Sequence, residues 1–203
     1  MSQTHSPIRP TFADPGTPQY PMSVELYHDL IRRGILTEND PVELVEGLLV
    51  FHMPKNPPHR FIVGAVRRAV EKLLPDGWHY DSEGSLTLND GEPEPDGLII
   101  RGDPRDFTDR HPRPRDIAVA IEVSDSTLSI DRGNKLRSYA RAGVAVYWII
   151  NVADRSIEVY SAPRINDATP TYAARQDYGE ADVVPLVLQG TPLGHVVVKE
   201  ILP

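Results

Sequence analysis

The apolar run Ile117-Ala118-Val119-Ala120-Ile121-Glu122-Val123 constrains this chain more than any other segment. It is short and rich in β-branched residues, so it reads as a strand buried inside a sheet. An acid in such a strand is costly to desolvate and demands a partner, either a cation or a hydrogen-bond donor. A second acid, Asp96, precedes another apolar run in Glu94-Pro95-Asp96-Gly97-Leu98-Ile99-Ile100. Two such carboxylates on neighbouring strands suggest one shared cation.

The pattern around these strands predicts an α/β fold, a mixed β-sheet flanked by helices. A helix is expected from about Asp131 to Ala142, with Gly143 at its exit and a strand from Ala145 to Ile150 after it. Strand, helix and strand in that order make a crossover that joins two parallel strands. Segments near Trp78 to Ser82, Ser85 to Leu88 and Leu98 to Arg101 read as strands close enough in sequence to pair antiparallel, and an Arg/Asp/Pro-rich loop spans about 102 to 116. Strict alternation would put Ala118, Ala120 and Glu122 on one face of their strand and Ile117, Val119, Ile121 and Val123 on the other.

Upstream, Ser23 opens a helical pattern through Leu26, Leu30 and Ile31 that Gly34 ends. Val42 to Met53 reads as two short strands around Glu46-Gly47, a hairpin signal. Pro57 and Pro58 open an amphipathic helix with Phe61, Ile62, Ala65, Val66, Ala69, Val70, Leu73 and Leu74 at helical spacing. Its other face carries Arg60, Arg67, Arg68 and Lys72, which reads as a solvated face. Beyond Ile150, the segments Ser156 to Tyr160, Thr171 to Ala174, Val183 to Leu188 and Val196 to Leu202 predict further short strands and a last helical turn. Residues 1–21, rich in proline and poor in apolar side chains, are expected to form a flexible or extended arm, and 22–203 a single domain.

Of the 203 residues, 40% are hydrophobic, enough for the core of one domain. No apolar run approaches the roughly 18 residues of a membrane span, and the amino terminus lacks the apolar core of a secretory signal, so a cytoplasmic location is expected. Cysteine is absent, which leaves oxygen and imidazole as the available metal ligands. The net charge of −8 argues against a protein that coats polyanions, because non-specific nucleic-acid affinity comes from Lys and Arg neutralising phosphates. It leaves room for a carboxylate-lined site whose charge a cation offsets.

Acid, acid and lysine in this order suit phosphodiester hydrolysis, which needs a positioned water, neutralised phosphoryl charge and a stabilised leaving oxygen. Magnesium takes hard oxygen ligands and keeps several waters, so Asp96, Glu122 and the carbonyl of Val123 are enough to hold it, with Mn²⁺ as the alternative. Lys135 lies four residues after Asp131, with Tyr139 one turn further on. If that face turns toward the strand ends, its ammonium orients the water or offsets phosphoryl charge. Arg137 and Arg141 add positive charge to the same helix.

These residues carry a resemblance. Glu43-Leu44-Val45-Glu46-Gly47, His59, Glu94-Pro95-Asp96, Glu122-Val123-Ser124-Asp125-Ser126-Thr127, Asp131 with Lys135, and Tyr139-Ala140-Arg141-Ala142-Gly143-Val144 leading into Tyr147-Trp148 resemble the PD-(D/E)XK nuclease superfamily, and within it the Uma-type family of restriction-endonuclease-like proteins. The resemblance implies a restriction-endonuclease-like fold and metal-dependent hydrolysis of DNA. It further implies Asp96 and Glu122 as metal ligands, Glu46 as an accessory acid and Lys135 as the catalytic lysine. The lysine usual two residues after the second acid is Ser124 here, so its role moves to Lys135. Val146 stands where the family often has an acid.

Plainer readings stand beside these. Pro95-Asp96-Gly97 and Glu46-Gly47 are also good turns, and Lys135 at helical spacing from Asp131 could form a surface ion pair. His59 either caps its helix or contacts substrate, Ser124 either contacts substrate or caps the crossover helix, and Arg137 is a further candidate for substrate binding. DNA is the expected partner, and cutting two strands calls for two sites and hence a homodimer. A catalytically silent binding or assembly module with the nuclease fold, and a metal-dependent hydrolase of small phosphorylated molecules, are the alternatives.

Overall fold

The structure, a computed structural model, describes residues 19–37, 39–52 and 55–203. The expected arm therefore lies outside the described residues up to position 18, as does Met53. Helix α1, Val24–Arg32, begins where the Ser23 hydroxyl accepts the Leu26 N–H at 3.2 Å, and it ends before Gly34 at φ +67°. It docks through Val24 and Tyr27 against Leu44, whereas Leu26 and Ile31 of the expected apolar stripe are exposed.

Strands β1, Val42–Val45, and β2, Leu48–Phe51, pair antiparallel with Val45 opposite Leu48. Glu46 and Gly47 both have positive φ, 50° and 76°, as a two-residue hairpin turn of the primed type requires. Helix α2, Pro57–Glu71, opens on its two prolines, with the Asn56 side chain accepting the His59 N–H at 2.9 Å. Ile62, Val63, Ala65, Val66 and Val70 face inward, and Phe61 stays exposed.

The main sheet has six strands in sequence order: β3 Trp78–Asp81, β4 Gly97–Arg101, β5 Ile117–Ser124, β6 Val146–Asn151, β7 Ser156–Arg164 and β8 Thr171–Gly179. Every neighbouring pair is antiparallel except β5 and β6, which run parallel. The predicted crossover joins that parallel pair through α3 Leu128–Ile130, a π-helical turn Asp131–Lys135 and α4 Leu136–Arg141. A second hairpin, β9 Val183–Leu188 with β10 Thr191–Val197, leads into α5 Val198–Ile201. The fold is thus the expected mixed sheet flanked by helices.

Side-chain alternation divides the core between the two faces of the sheet. Ile62 and Val66 of α2, with Val184 and Leu186 of β9, pack on Val119, Ile121, Trp148 and Ile150. Leu136, Tyr139 and Ala140 of α4 pack on Ala120, Tyr147 and Ile149 from the other side. Glu122 shares the α4 face, as the period-two pattern requires.

Three local expectations change. Ser85 to Leu88 forms no strand: Leu86 and Leu88 are buried, but their N–H groups bond back to the carbonyls of Pro93 and Gly91 within the same loop. At the start of β5 the register shifts, with Ile100 opposite Ile117 and Ile99 opposite Val119. This bulge moves Ile117 to the α4 side and Ala118 to the α2 side, against strict alternation. The crossover helix also begins at Leu128, before the expected Asp131. No helix among the described residues is long and apolar enough to cross a membrane.

Gly97 is the pivot between Asp96 and β4. A Cβ there would lie 1.9 Å from the Tyr80 hydroxyl and 2.6 Å from its ring carbon Cζ, and Tyr80 is a buried core ring. Gly97→Ala is therefore expected to lower stability by about 1–3 kcal/mol through overpacking. Urea denaturation checks this, and an unchanged midpoint would contradict the packing described.

Candidate active site

Lys135 reaches the sheet because the turn that carries it is wider than an α-helix. The Leu136 N–H bonds the Asp131 carbonyl five residues back, and this extra residue in the turn takes Lys135 off the face of Asp131. The Lys135 ammonium donates to Glu122 Oε1 at 2.9 Å and lies 3.0 Å from Glu43 Oε1. Only 6% of the residue is exposed, so it is no surface partner of Asp131. The Tyr139 hydroxyl donates to the same Glu122 oxygen at 2.8 Å, which leaves Oε2 without a donor among the described residues.

Asp96 enters from the other side of β5. Its Oδ2 accepts the backbone N–H of Val123 at 2.8 Å and lies 3.2 Å from His59 Nε2. Its Oδ1 has the Lys55 ammonium at 3.5 Å. In an extended strand the N–H and C=O of one residue point to the same side, so the Val123 carbonyl faces the Asp96 side of β5. Asp131 accepts the hydroxyls of Ser124 and Thr127 at 2.5 and 2.6 Å, which ties the strand end to the crossover helix. Glu43, Asp96, Glu122, Asp131 and Lys135 line one pocket, together with His59 and Lys55.

The structure brings Asp96, Glu122, Val123, Lys135, His59 and the neighbourhood of Ser124 together. It separates Glu46 and Arg137 from them. Arg137 donates to both carboxylate oxygens of Glu46, at 2.6 and 3.2 Å, and Arg141 reaches Glu46 at 3.1 Å. Neither Glu46 nor Arg137 lines the pocket. As a turn residue Glu46 points outward and clamps the hairpin to α4, while Glu43, inside the strand, delivers the third acid. Glu43 is held by the Glu94 N–H at 2.8 Å on its second oxygen. The signal for Glu43 was available: it is an acid between Val42 and Leu44, the same pattern that singles out Glu122. Lys55 follows no pattern of spacing and is visible only in three dimensions.

The electrostatics are lopsided. Burial pushes the Glu122 carboxyl well above the ordinary range, Lys135 opposes this, and Asp131, Asp96 and Glu43 reinforce it. Burial likewise raises Asp131 against the pull of Lys135 and the two hydroxyls. For Lys135, burial alone would favour the neutral amine, but Glu122, Glu43 and Asp131 outweigh it and hold the ammonium above the ordinary lysine range. Burial would also raise Asp96, yet His59, the Val123 N–H and Lys55 together bring it below its usual value. Three buried acids, Glu43, Glu122 and Asp131, thus act on the buried Lys135, and a fourth, Asp96, lines the same pocket.

This donor set suits a hard divalent cation. No group of three or more acidic or imidazole side chains stands ready around one point among the described residues. Magnesium does not need one, since it binds through one or two carboxylates and keeps its waters. The open Oε2 of Glu122, the lightly held Oδ1 of Asp96 and the Val123 carbonyl are oxygen ligands of that kind.

Residues 24–192 match the Uma2 family, described as "Putative restriction endonuclease". The chain belongs to this family. A solved structure from Anabaena variabilis ATCC 29413, described as a "putative nuclease belonging to DUF820", is similar with a TM-score of 0.62. It shares 15% sequence identity, and the match covers 89% of this chain and 97% of that one. At that identity the likeness speaks for the fold alone. No curated protein matches the chain. For this member of the Uma2 family, the match runs from α1 into β10 and so includes every residue of the pocket.

A raised carboxyl in the folded state means that the native protein binds its proton more tightly than the unfolded chain. Stability is then lost as pH rises from the ordinary glutamate value, about 4.3, through the raised native value of Glu122. Glu122→Gln removes that cost and leaves Lys135 paired with Glu43. Without added metal, the melting temperature of Glu122→Gln should exceed that of the wild type by about 2–4 °C at pH 7.5. The gap should shrink as pH falls toward the ordinary glutamate range. Thermal melts across pH check this; a gap that widens in acid would contradict it.

Proposed function

We propose that this protein is a magnesium-dependent endonuclease that hydrolyses DNA phosphodiester bonds, with Mn²⁺ as an alternative cofactor. The observation that carries this reading is the excess of buried carboxylates around Lys135, an arrangement that is costly unless a divalent cation joins it. Asp96, Glu122 and the Val123 carbonyl would hold the cation, which would supply Lewis acidity toward the phosphoryl group and toward water.

The chain's own residues do the rest. Lys135, kept protonated by Glu43 and Glu122, serves as a donor to a phosphoryl oxygen or to the attacking water, not as a base. Glu43 fixes the ammonium from the hairpin side, and Tyr139 fixes the Glu122 carboxylate from the helix side. His59 orients Asp96 through Nε2. A homodimer would supply the two sites that cutting both strands requires. The rival reading is a silent binding module, favoured by the fact that Lys135, Tyr139, His59 and Lys55 already engage both acids.

Supercoiled plasmid incubated with purified protein and Mg²⁺ or Mn²⁺ should be nicked or linearised. Lys135→Met, Asp96→Asn and Glu122→Gln should each slow the reaction at least about 100-fold. Calorimetric titration with Mn²⁺ should show binding that Asp96→Asn and Glu122→Gln weaken. Cleavage unaffected by these changes would overturn the active site, and a wild type that binds no divalent ion would favour the silent module.

A further inference from the structure

Lys55 stands apart from the other pocket cations. Lys135 is sealed between two acids, whereas the Lys55 side chain is one-third exposed and faces the pocket mouth. It is held 2.7 Å from Glu83, itself half exposed, and 3.5 Å from Asp96. The exposed pair with Glu83 has little net strength, so exchanging that carboxylate for another anion costs little. In the same wall His52 Nε2 lies 3.6 Å from Glu94 Oε2, and the buried His59 Nδ1 has no hydrogen-bond partner among the described residues. His52 and Lys55 also line a second, adjoining groove that continues to Arg60. The Lys55 ammonium and, further along, Arg60 are the cationic side chains of this edge, set among Asp40, Glu83 and Glu94, so an anion that enters here must exchange with a carboxylate for the ammonium.

We infer that Lys55 is a substrate-binding residue that grips a phosphate of the nucleic-acid backbone at the pocket mouth, with the backbone continuing along the groove toward Arg60. The inference rests on the proposed nuclease reading for the identity of the substrate, but the anion site stands on the geometry of this wall. A phosphate drawn to the Asp96 side of the pocket arrives beside the Lys55 ammonium, which can donate to its oxygens.

The test compares wild type, Lys55→Met and Lys55→Arg. Affinity for a fluorescent DNA duplex is measured by anisotropy in Ca²⁺ over a range of salt, and affinity for inorganic pyrophosphate by calorimetry. Lys55→Met should weaken duplex binding about tenfold and lower the slope of log affinity against log salt by about one. Lys55→Arg should restore both, which a merely structural role would not do. A wild type that binds the duplex with a slope unchanged in Lys55→Met would overturn the inference and leave the nuclease reading intact. Pyrophosphate binding lost in Lys55→Met, with no duplex binding by the wild type, would sustain the anion site and defeat DNA as substrate. Binding of neither probe by the wild type would overturn both.

Discussion

The ammonium of Lys135 is the joint on which this structure turns. It links three elements that are far apart in sequence: the first hairpin through Glu43, the parallel core strand through Glu122, and the crossover helix that carries the lysine. Burying such a group is unfavourable unless every charge meets a well-placed partner. The fold therefore has one arrangement of hairpin, helix and sheet in which the lysine is satisfied. A second pairing reinforces it from three residues upstream, where Arg132 grips the buried Glu158. Glu158 lies opposite Ile149 in β7, and Ile149 lies opposite Glu122 in β6. The helix is thus pinned to two acids in one row across the sheet.

How much of this was legible in the sequence follows from the range of each signal. The crossover was legible because strand, helix and strand periods differ and because the apolar runs are clean. The hairpin was legible because Glu46-Gly47 can adopt positive φ. Asp96 and Glu122 stood out because acids in or beside apolar strands need partners, whereas Lys135 stood out through its place on the crossover helix and the family resemblance. Glu43 was overlooked in favour of Glu46 although the same argument applied: the acid beside the glycine drew the functional reading, while the acid in the strand is the one forced inward. The bulge that flips Ile117 and Ala118 and the π turn that aims Lys135 depend on tertiary packing, and no local propensity announces either. Ser85 to Leu88 has a strand's composition, yet its backbone bonds to loop carbonyls, those of Gly91 and Pro93 in its own loop and that of Pro112 in the next, and not to the sheet.

The same site sets a tension between folding and function. Glu43, Asp96, Glu122 and Asp131 are each covered; Asp96 has His59 and Lys55 beside it, whereas Glu43, Glu122 and Asp131 share the single charge of Lys135. A chain selected only for stability would replace some of them with amides or apolar groups. Retaining four acids, with the hydroxyls of Ser124, Thr127 and Tyr139 arranged around them, makes sense where an external cation completes the charge balance. The contrast with Glu158 is instructive. That acid is equally buried, but Arg132, Tyr160, Asn151 and Arg175 converge on it, and although burial would raise its carboxyl, these partners bring it below the ordinary range. Glu158 is finished by the protein; Glu122 and Asp131, both raised by burial, are not.

The distribution of basic side chains completes the argument. Arg137 and Arg141 are committed to Glu46 and Asp90, Arg132 to Glu158, Arg155 to Glu180 and Arg67 to Glu71. Apart from Arg67–Glu71, which lies within α2, these pairs hold elements together and lower the free positive field of an acidic chain. A polyanion approaching the molecule is therefore not attracted everywhere. Next to the pocket the basic side chains are Lys55 and Arg60, which border it and its adjoining groove, so the approach of an anion to the acids depends on the geometry of that edge more than on net charge.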